Sequence, residues 1–190
     1  MTGLYFGSFN PIHIGHLAIA NYFVEYGGLN DLWFVVSPQN PLKNKSSLLP
    51  DYQRLELVNR ALCDYHKFKA SNIEFSLPQP SYTANTLAHL DEKYPNRQFA
   101  LIIGEDNLAS FHKWKNFEHI LENRKILVYP RPNCETTTFH NHPNVQLFDA
   151  PLMEISSSFI RNAIKQRKDI RFFMPQKAWE YIDEMNFYRK

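Results

Sequence analysis

Cysteine is scarce in this chain. Its 190 residues hold two, Cys63 and Cys134, at unrelated positions. That pair gives no disulfide framework and suits a reducing cytosol. Long apolar runs are missing too: no stretch approaches the roughly 20 residues of a membrane span. The first residues lack the basic region, apolar core and small-residue cleavage site of a secretion signal. Neither charge sign dominates, with 21 Lys and Arg against 19 Asp and Glu and a formal net charge of +2. A strong nucleic-acid or membrane-surface footprint is thereby excluded. There is no G-x-x-x-x-G-K-[ST], which argues against a P-loop kinase or NTPase, and no G-x-G-x-x-G, which argues against an oxidoreductase holding a finished dinucleotide. Internal repeats and low-complexity linkers are absent as well.

What is present suits one domain over residues 1–190 with a small helical portion at its C-terminal end. The hydrophobic fraction is 44% and the aromatic fraction 15%, enough for a substantial core filled with bulky rings. Apolar runs at 4–6, 32–37, 99–103, 125–129 and 145–148 read as strands, with a further strand near 68–75. Helical spacing marks 15–26, 52–65 (with Asp51 as N-cap), 84–94, 158–166 and 176–186. Residues 38–50 and 130–143 read as loops, the second mobile and with solvated histidines. Strands alternating with helices imply parallel pairing and right-handed crossovers. The expected architecture is an α/β, doubly wound, mainly parallel sheet, which binds ligands beyond the carboxyl ends of its strands. The loops following the runs that end at 6, 37, 103 and 129 should therefore converge.

The first of those loops carries the strongest chemical signal. A short strand runs into Gly7-Ser-Phe-Asn-Pro and then into a helix whose first turn holds His13 and His16. The turn exposes backbone N–H groups, and the helix N-terminus directs partial positive charge at the same spot. Two imidazoles three residues apart share one helical face and add N–H donors. Gly7 is expected to supply a backbone conformation closed to other residues, and Gly15 to leave room for a phosphate or a nucleobase. Phosphate binding is favoured; a capping or surface role and a zinc pair stay open, although zinc needs a third protein ligand and none has suitable spacing.

Gly7-Ser-Phe-Asn-Pro-Ile-His-Ile-Gly-His16 resembles the G-x-F-x-P-x-H-x-G-H signature of the nucleotidylyltransferase superfamily. Four further segments, in order, resemble the bacterial nicotinate mononucleotide adenylyltransferases within it. They are Ser81-Tyr-Thr-Ala-Asn-Thr-Leu87, Ile103-Gly-Glu-Asp106 with Phe111-His-Lys-Trp114, Arg131-Pro132, and Ile155-Ser-Ser-Ser-Phe-Ile-Arg161.

The resemblance implies a Rossmann-like fold, an enzyme of NAD biosynthesis, and transfer of AMP from ATP to nicotinate mononucleotide with release of pyrophosphate. It implies His13, His16, Lys43 and Arg161 as the catalytic set. ATP falls to Gly7, Ser8, Phe9, Gly104, Asp106, Ser156, Ser158 and Arg161 beside the histidines, with Ser158 capping its helix and Asp106 taking the ribose hydroxyls. Nicotinate mononucleotide falls to Asn40, Lys43, Tyr82, Thr83 and Trp114, the indole stacking on the pyridine ring. Mg²⁺ enters through ATP phosphates, with no protein-held metal. ATP and nicotinate mononucleotide are the partners, without nucleic acid or membrane; a homo-oligomer stays open. Asn10 stands where the family often has aspartate, and a turn-forming role is expected of it. Two other readings remain: a relative with another acceptor, such as nicotinamide mononucleotide or phosphopantetheine, and a non-catalytic nucleotide-binding module.

Overall fold

The computed structural model describes residues 1–38, 48–62, 65–134 and 137–189. Six strands form one parallel sheet: β1 (Thr2–Gly7), β2 (Asp31–Val36), β3 (Phe68–Ser71), β4 (Phe99–Gly104), β5 (Lys125–Tyr129) and β6 (Val145–Leu147). Their order is β3-β2-β1-β4-β5-β6. Helices cover both faces: α1 (Ile14–Tyr26), α2 (Asp51–Leu62), α3 (Thr83–Lys93), α4 (Glu105–Ala109), α5 (Phe117–Asn123), α6 (Ser157–Lys165) and α7 (Gln176–Glu184). The doubly wound parallel sheet expected from the sequence is the architecture observed.

The strands show why both faces must be covered. In β2, Leu32, Phe34 and Val36 join the core beneath α1, α2, α6 and α7, whereas Trp33 and Val35 join the core beneath α3 and α5. β4 divides likewise, Ala100 and Ile102 against Leu101 and Ile103. Alternate residues point to opposite faces of a strand, so an apolar run without alternation must be buried on both sides.

Several boundaries depart from expectation. The strand near residue 68 stops at Ser71, and Ile73–Ser76 form a 3₁₀ turn instead. Asp51 is the first residue of α2 rather than its cap, and that helix is described to Leu62. Two short helices, α4 and α5, fill the stretch between β4 and β5. Within 130–143, residues Thr138–Asn141 form a 3₁₀ turn. His140 is not solvated there: its Nδ1 lies 2.9 Å from the Thr137 N–H, and its Nε2 lies 3.8 Å from Glu105.

The chain leaves β1 toward β2 and later returns to β4 on the opposite side of β1. Loops from β1 and β4 thus diverge at the carboxyl edge, opening the crevice that such sheets use for ligands.

Candidate active site

The loop after β1 is pinned from below. Arg54 of α2 is 0% exposed, and its guanidinium donates to the carbonyls of Ser8 (2.6 Å), Ser37 (2.9 Å) and Leu49 (2.9 Å) and to the Asp51 carboxylate (2.6 Å). One cation therefore ties the ends of β1 and β2 to α2. Gly7 serves close packing rather than a special backbone angle. A Cβ there would meet the Phe9 ring at 2.8 Å, and the left-handed residue of the loop is Phe9 itself (φ 43°), buried beneath it. Asn10 is a hub as well as a turn residue. Its Oδ1 accepts from the Leu49 N–H (3.2 Å) and the Tyr188 hydroxyl (2.7 Å), and its carbonyl accepts from Arg161 (2.8 Å).

His13 precedes α1 with its ring buried, 5% exposed, and stacked on His16 at 3.7 Å between centroids. Burial, with Arg131 nearby, lowers its pKa to about 4, so the imidazole is neutral at physiological pH. Its Nδ1 has no hydrogen-bond partner. The His13 N–H donates to His16 Nδ1 at 3.2 Å. That bond leaves the His16 ring proton on Nε2, a donor for an anion. The His13 ring packs beside Gly15, where a Cβ would meet it at 3.1 Å, and the glycine also borders the polar cavity described below.

At the far wall Ser156 is the N-cap of α6, its hydroxyl accepting the Phe159 N–H at 3.2 Å. Ser158, expected to cap, sits inside the first turn and accepts from Arg161 (3.2 Å). Ser157 donates to the Pro11 carbonyl (2.8 Å) and holds α6 against the first loop. Asp106 lies in the first turn of α4, 3.7 Å from Arg131 Nε. Gly104 precedes that helix because a Cβ would strike Asp106 and approach the Arg131 side chain.

These groups line two adjoining cavities at the carboxyl edge. The polar one, about 450 Å³, brings together Gly7, Ser8, Phe9, His13, His16, Asp106, Ser156, Ser158 and Arg161, with Arg131 among them. The second, about 320 Å³, is walled by Tyr82, Thr83 and Trp114, with Gly104, Glu74, Lys113 and Lys115. Tyr5, Gly7, Ser8, Asn107 and Tyr129 border both. Trp114 is half-buried and tilted against Phe111 at 5.1 Å, part platform and part core. Asn40 and Lys43 lie outside the described residues. Sequence reasoning placed Arg131-Pro132 among the converging motifs without giving Arg131 a contact, and it gave Asn107 and the two chamber lysines no role. Arg131 reaches the Met153 carbonyl (3.3 Å) and the Tyr129 hydroxyl (3.4 Å), while its buried Nε has no hydrogen-bond partner.

A parallel sheet with cationic groups, a helix N-terminus and an aromatic-walled cavity around one switch point is the arrangement of a nucleotide-binding α/β protein. The cytidylyltransferase-like family model matches residues 4–163. A probable nicotinate-nucleotide adenylyltransferase of Flavobacterium psychrophilum is 59% identical over 190 residues, covering 99% of this chain and 98% of the relative. One of the same name from Bacteroides thetaiotaomicron is 51% identical, covering 96% and 91%. The chain belongs to the nicotinate-nucleotide adenylyltransferases of the cytidylyltransferase-like family. In fold it is similar to the nicotinic acid mononucleotide adenylyltransferase of Plasmodium falciparum complexed with NaAD, with a TM-score of 0.82 at 20% identity over 98% of this chain and 96% of that one.

Proposed function

We propose that this chain transfers AMP from ATP to nicotinate mononucleotide, yielding nicotinate adenine dinucleotide and pyrophosphate, and that it works in the cytoplasm in NAD biosynthesis. The observation that carries the reading is the pair of adjoining cavities. One is polar and holds His13, His16, Arg131 and Arg161; the other is lined by Trp114, Tyr82 and Thr83; they share a wall at the end of β1.

The chemistry asks for such a site. The nucleophile is a phosphate oxygen of the mononucleotide, already anionic, so no general base is needed. It attacks the α-phosphorus, the bond to the bridging oxygen breaks, and pyrophosphate leaves with the electron pair. The barrier is the approach of two polyanions and the charge that builds on the leaving oxygens, so positioning and preorganised donors supply the rate. His16 Nε2–H and Arg161 are assigned to the α-phosphate and to the β- and γ-phosphates. Neutral His13 adds a donor without charge, Ser156 and Ser158 add hydroxyls, and the Ser8 and Phe9 backbone completes the cradle. Asp106 takes ribose hydroxyls. Trp114 stacks on the pyridine ring, Thr83 and Tyr82 receive the carboxylate end, and Asn40 and Lys43 meet the mononucleotide.

Mg²⁺ fits this donor set as a passenger on the triphosphate. Among the described residues no three His, Cys, Asp or Glu side chains gather as ligands, whereas the Asp106 and Glu154 carboxylates of the polar cavity can accept from the ion's water shell. When bound, the ion neutralises phosphate charge.

Pyrophosphate release measured with ATP, Mg²⁺ and a panel of acceptors tests the proposal. Nicotinate mononucleotide should be preferred. Faster turnover of nicotinamide mononucleotide or phosphopantetheine would reassign the acceptor, and ATP binding without turnover of any acceptor would leave a binding module.

A further inference from the structure

Asp106 and Arg131 line the polar cavity with opposite charges, yet they stand apart. Arg131 Nε lies 3.7 Å from Asp106 Oδ1, and that buried Nε makes no hydrogen bond. A carboxylate and a guanidinium this close gain by closing to a direct pair, so something holds them open. They reach the cavity from different strands: Asp106 from α4, which follows β4, and Arg131 from the loop after β5. Their spacing is therefore set by whatever joins those two segments.

The sheet itself does not join them. The last register pair of β4 and β5 is Gly104 with Tyr129, and past it the chains part. One turns into α4. The other runs through Pro130, which has no N–H, so the Arg131 N–H is the first main-chain donor after β5. Glu105 receives it: Oε2 accepts that N–H at 2.9 Å. Oε1 of the same carboxylate faces His140 Nε2 at 3.8 Å. His140 Nδ1 accepts the Thr137 N–H at 2.9 Å, which leaves the proton of the neutral ring on Nε2, the side of Glu105. The side chains are only 25% and 11% exposed, so the tie is largely shielded from water. Glu105 itself borders neither cavity.

We infer that Glu105 is a positioning residue of the nucleotide cavity. By clamping the Arg131 main chain to the helix that carries Asp106, it holds guanidinium and carboxylate at a spacing that leaves both open to ATP. The inference rests on the ATP reading given above. Glu105 directly precedes Asp106 on α4, so one residue fixes both members of the pair. Arg131 is then tethered at two ends, by its N–H to Glu105 and by its tip to the Met153 carbonyl (3.3 Å) and the Tyr129 hydroxyl (3.4 Å). Held this way, the Nε–H stays available to a phosphate oxygen and Asp106 to ribose hydroxyls. Without the tie the loop shifts, the guanidinium closes on Asp106, and each cancels the other's contact with the nucleotide.

The test is calorimetric binding of ATP with Mg²⁺, without acceptor, to the wild type, Glu105→Ala and Glu105→Gln, with steady-state kinetics alongside. Glu105→Ala strands the Arg131 N–H and is expected to weaken ATP binding about fivefold or more, as for one lost hydrogen bond to a charged group. The loss should appear in KM for ATP, with kcat and the acceptor KM little changed. Glu105→Gln keeps an acceptor for that N–H and should return ATP affinity to within about twofold of the wild type. In an Asp106→Asn background the guanidinium has no carboxylate to close on, so there Glu105→Ala should cost less than it does alone. Unchanged ATP affinity in Glu105→Ala, an equal loss in Glu105→Gln, or an equal Glu105→Ala penalty in both backgrounds overturns the inference. So does a defect confined to Tm, the mark of a purely structural tie. If Glu105→Ala does not fold, Glu105→Asp, whose carboxylate falls one methylene short of the N–H, replaces it, and undiminished ATP binding there is equally fatal. A wild type that binds no ATP would sink the ATP reading itself, whereas wild type and variants binding ATP alike sink only the role of Glu105.

Discussion

His13 and His16 stack face to face, but their surroundings assign them different tasks. His13 is buried, and its pKa is lowered to about 4. The folded state holds the ring neutral while the unfolded chain protonates it near pH 6.5, so this contribution is intact above about pH 6.5 and is lost as pH falls toward 4. Chemical denaturation at pH 7 and pH 4 should show a loss of up to about 3 kcal/mol, and His13→Gln should shrink that difference. His16 lines the polar cavity. His16→Ala is expected to lower kcat on the order of a hundredfold, as for other lost transition-state donors, with its melting temperature little changed; near-normal turnover would remove the ring from the chemistry. At this scale the two imidazoles, Asp106 and Arg161 were legible because short motifs carry them at fixed spacing. Glu74 was not. A glutamate between Ile73 and Phe75 reads as the solvent-facing position of an alternating strand, and only the 3₁₀ turn reverses it inward.

Elements explain the remaining discrepancies. Regular helices announced themselves by period and central strands by unbroken apolar runs, but α4 and α5, with five and seven residues, are too short for a period to register. Ser156 rather than Ser158 caps α6 because three consecutive serines offer three chemically equal candidates, and only the path of the incoming chain chooses among them. Arg54 was unreadable for a similar reason: on a helical pattern an arginine belongs to the solvated face. Here α2 turns it under the loops of β1 and β2, where it satisfies four carbonyls, the fourth being that of Pro38 at 3.3 Å. Arg54→Leu strands those carbonyls without a donor and should cost about 3–5 kcal/mol. The urea midpoint reads that loss, and KM for ATP should rise because the first loop is no longer fixed. An unchanged midpoint would show that the loops hold themselves.

Over the whole molecule the order β3-β2-β1-β4-β5-β6 gathers residues from 7 to 161 around one crevice. That convergence was predictable, since the motif-bearing loops each follow a strand at its carboxyl end. The closing contact was not: no local pattern links residue 188 to residue 10. The Tyr188 hydroxyl donates to Asn10 Oδ1 at 2.7 Å, fastening the chain's last described turn to the first motif. Tyr188→Phe removes one hydrogen bond, worth about 1 kcal/mol. For a chain of this size that is a fall of roughly 2–4 °C in Tm. Calorimetry checks it, and an unaltered Tm would make the contact incidental.

That contact also sets an order of events during synthesis. The histidine loop is translated 178 residues before the tyrosine that latches its asparagine. A growing chain thus carries an unfastened first loop until elongation has passed position 188, and messages interrupted before that codon yield proteins whose histidine loop lacks this tie.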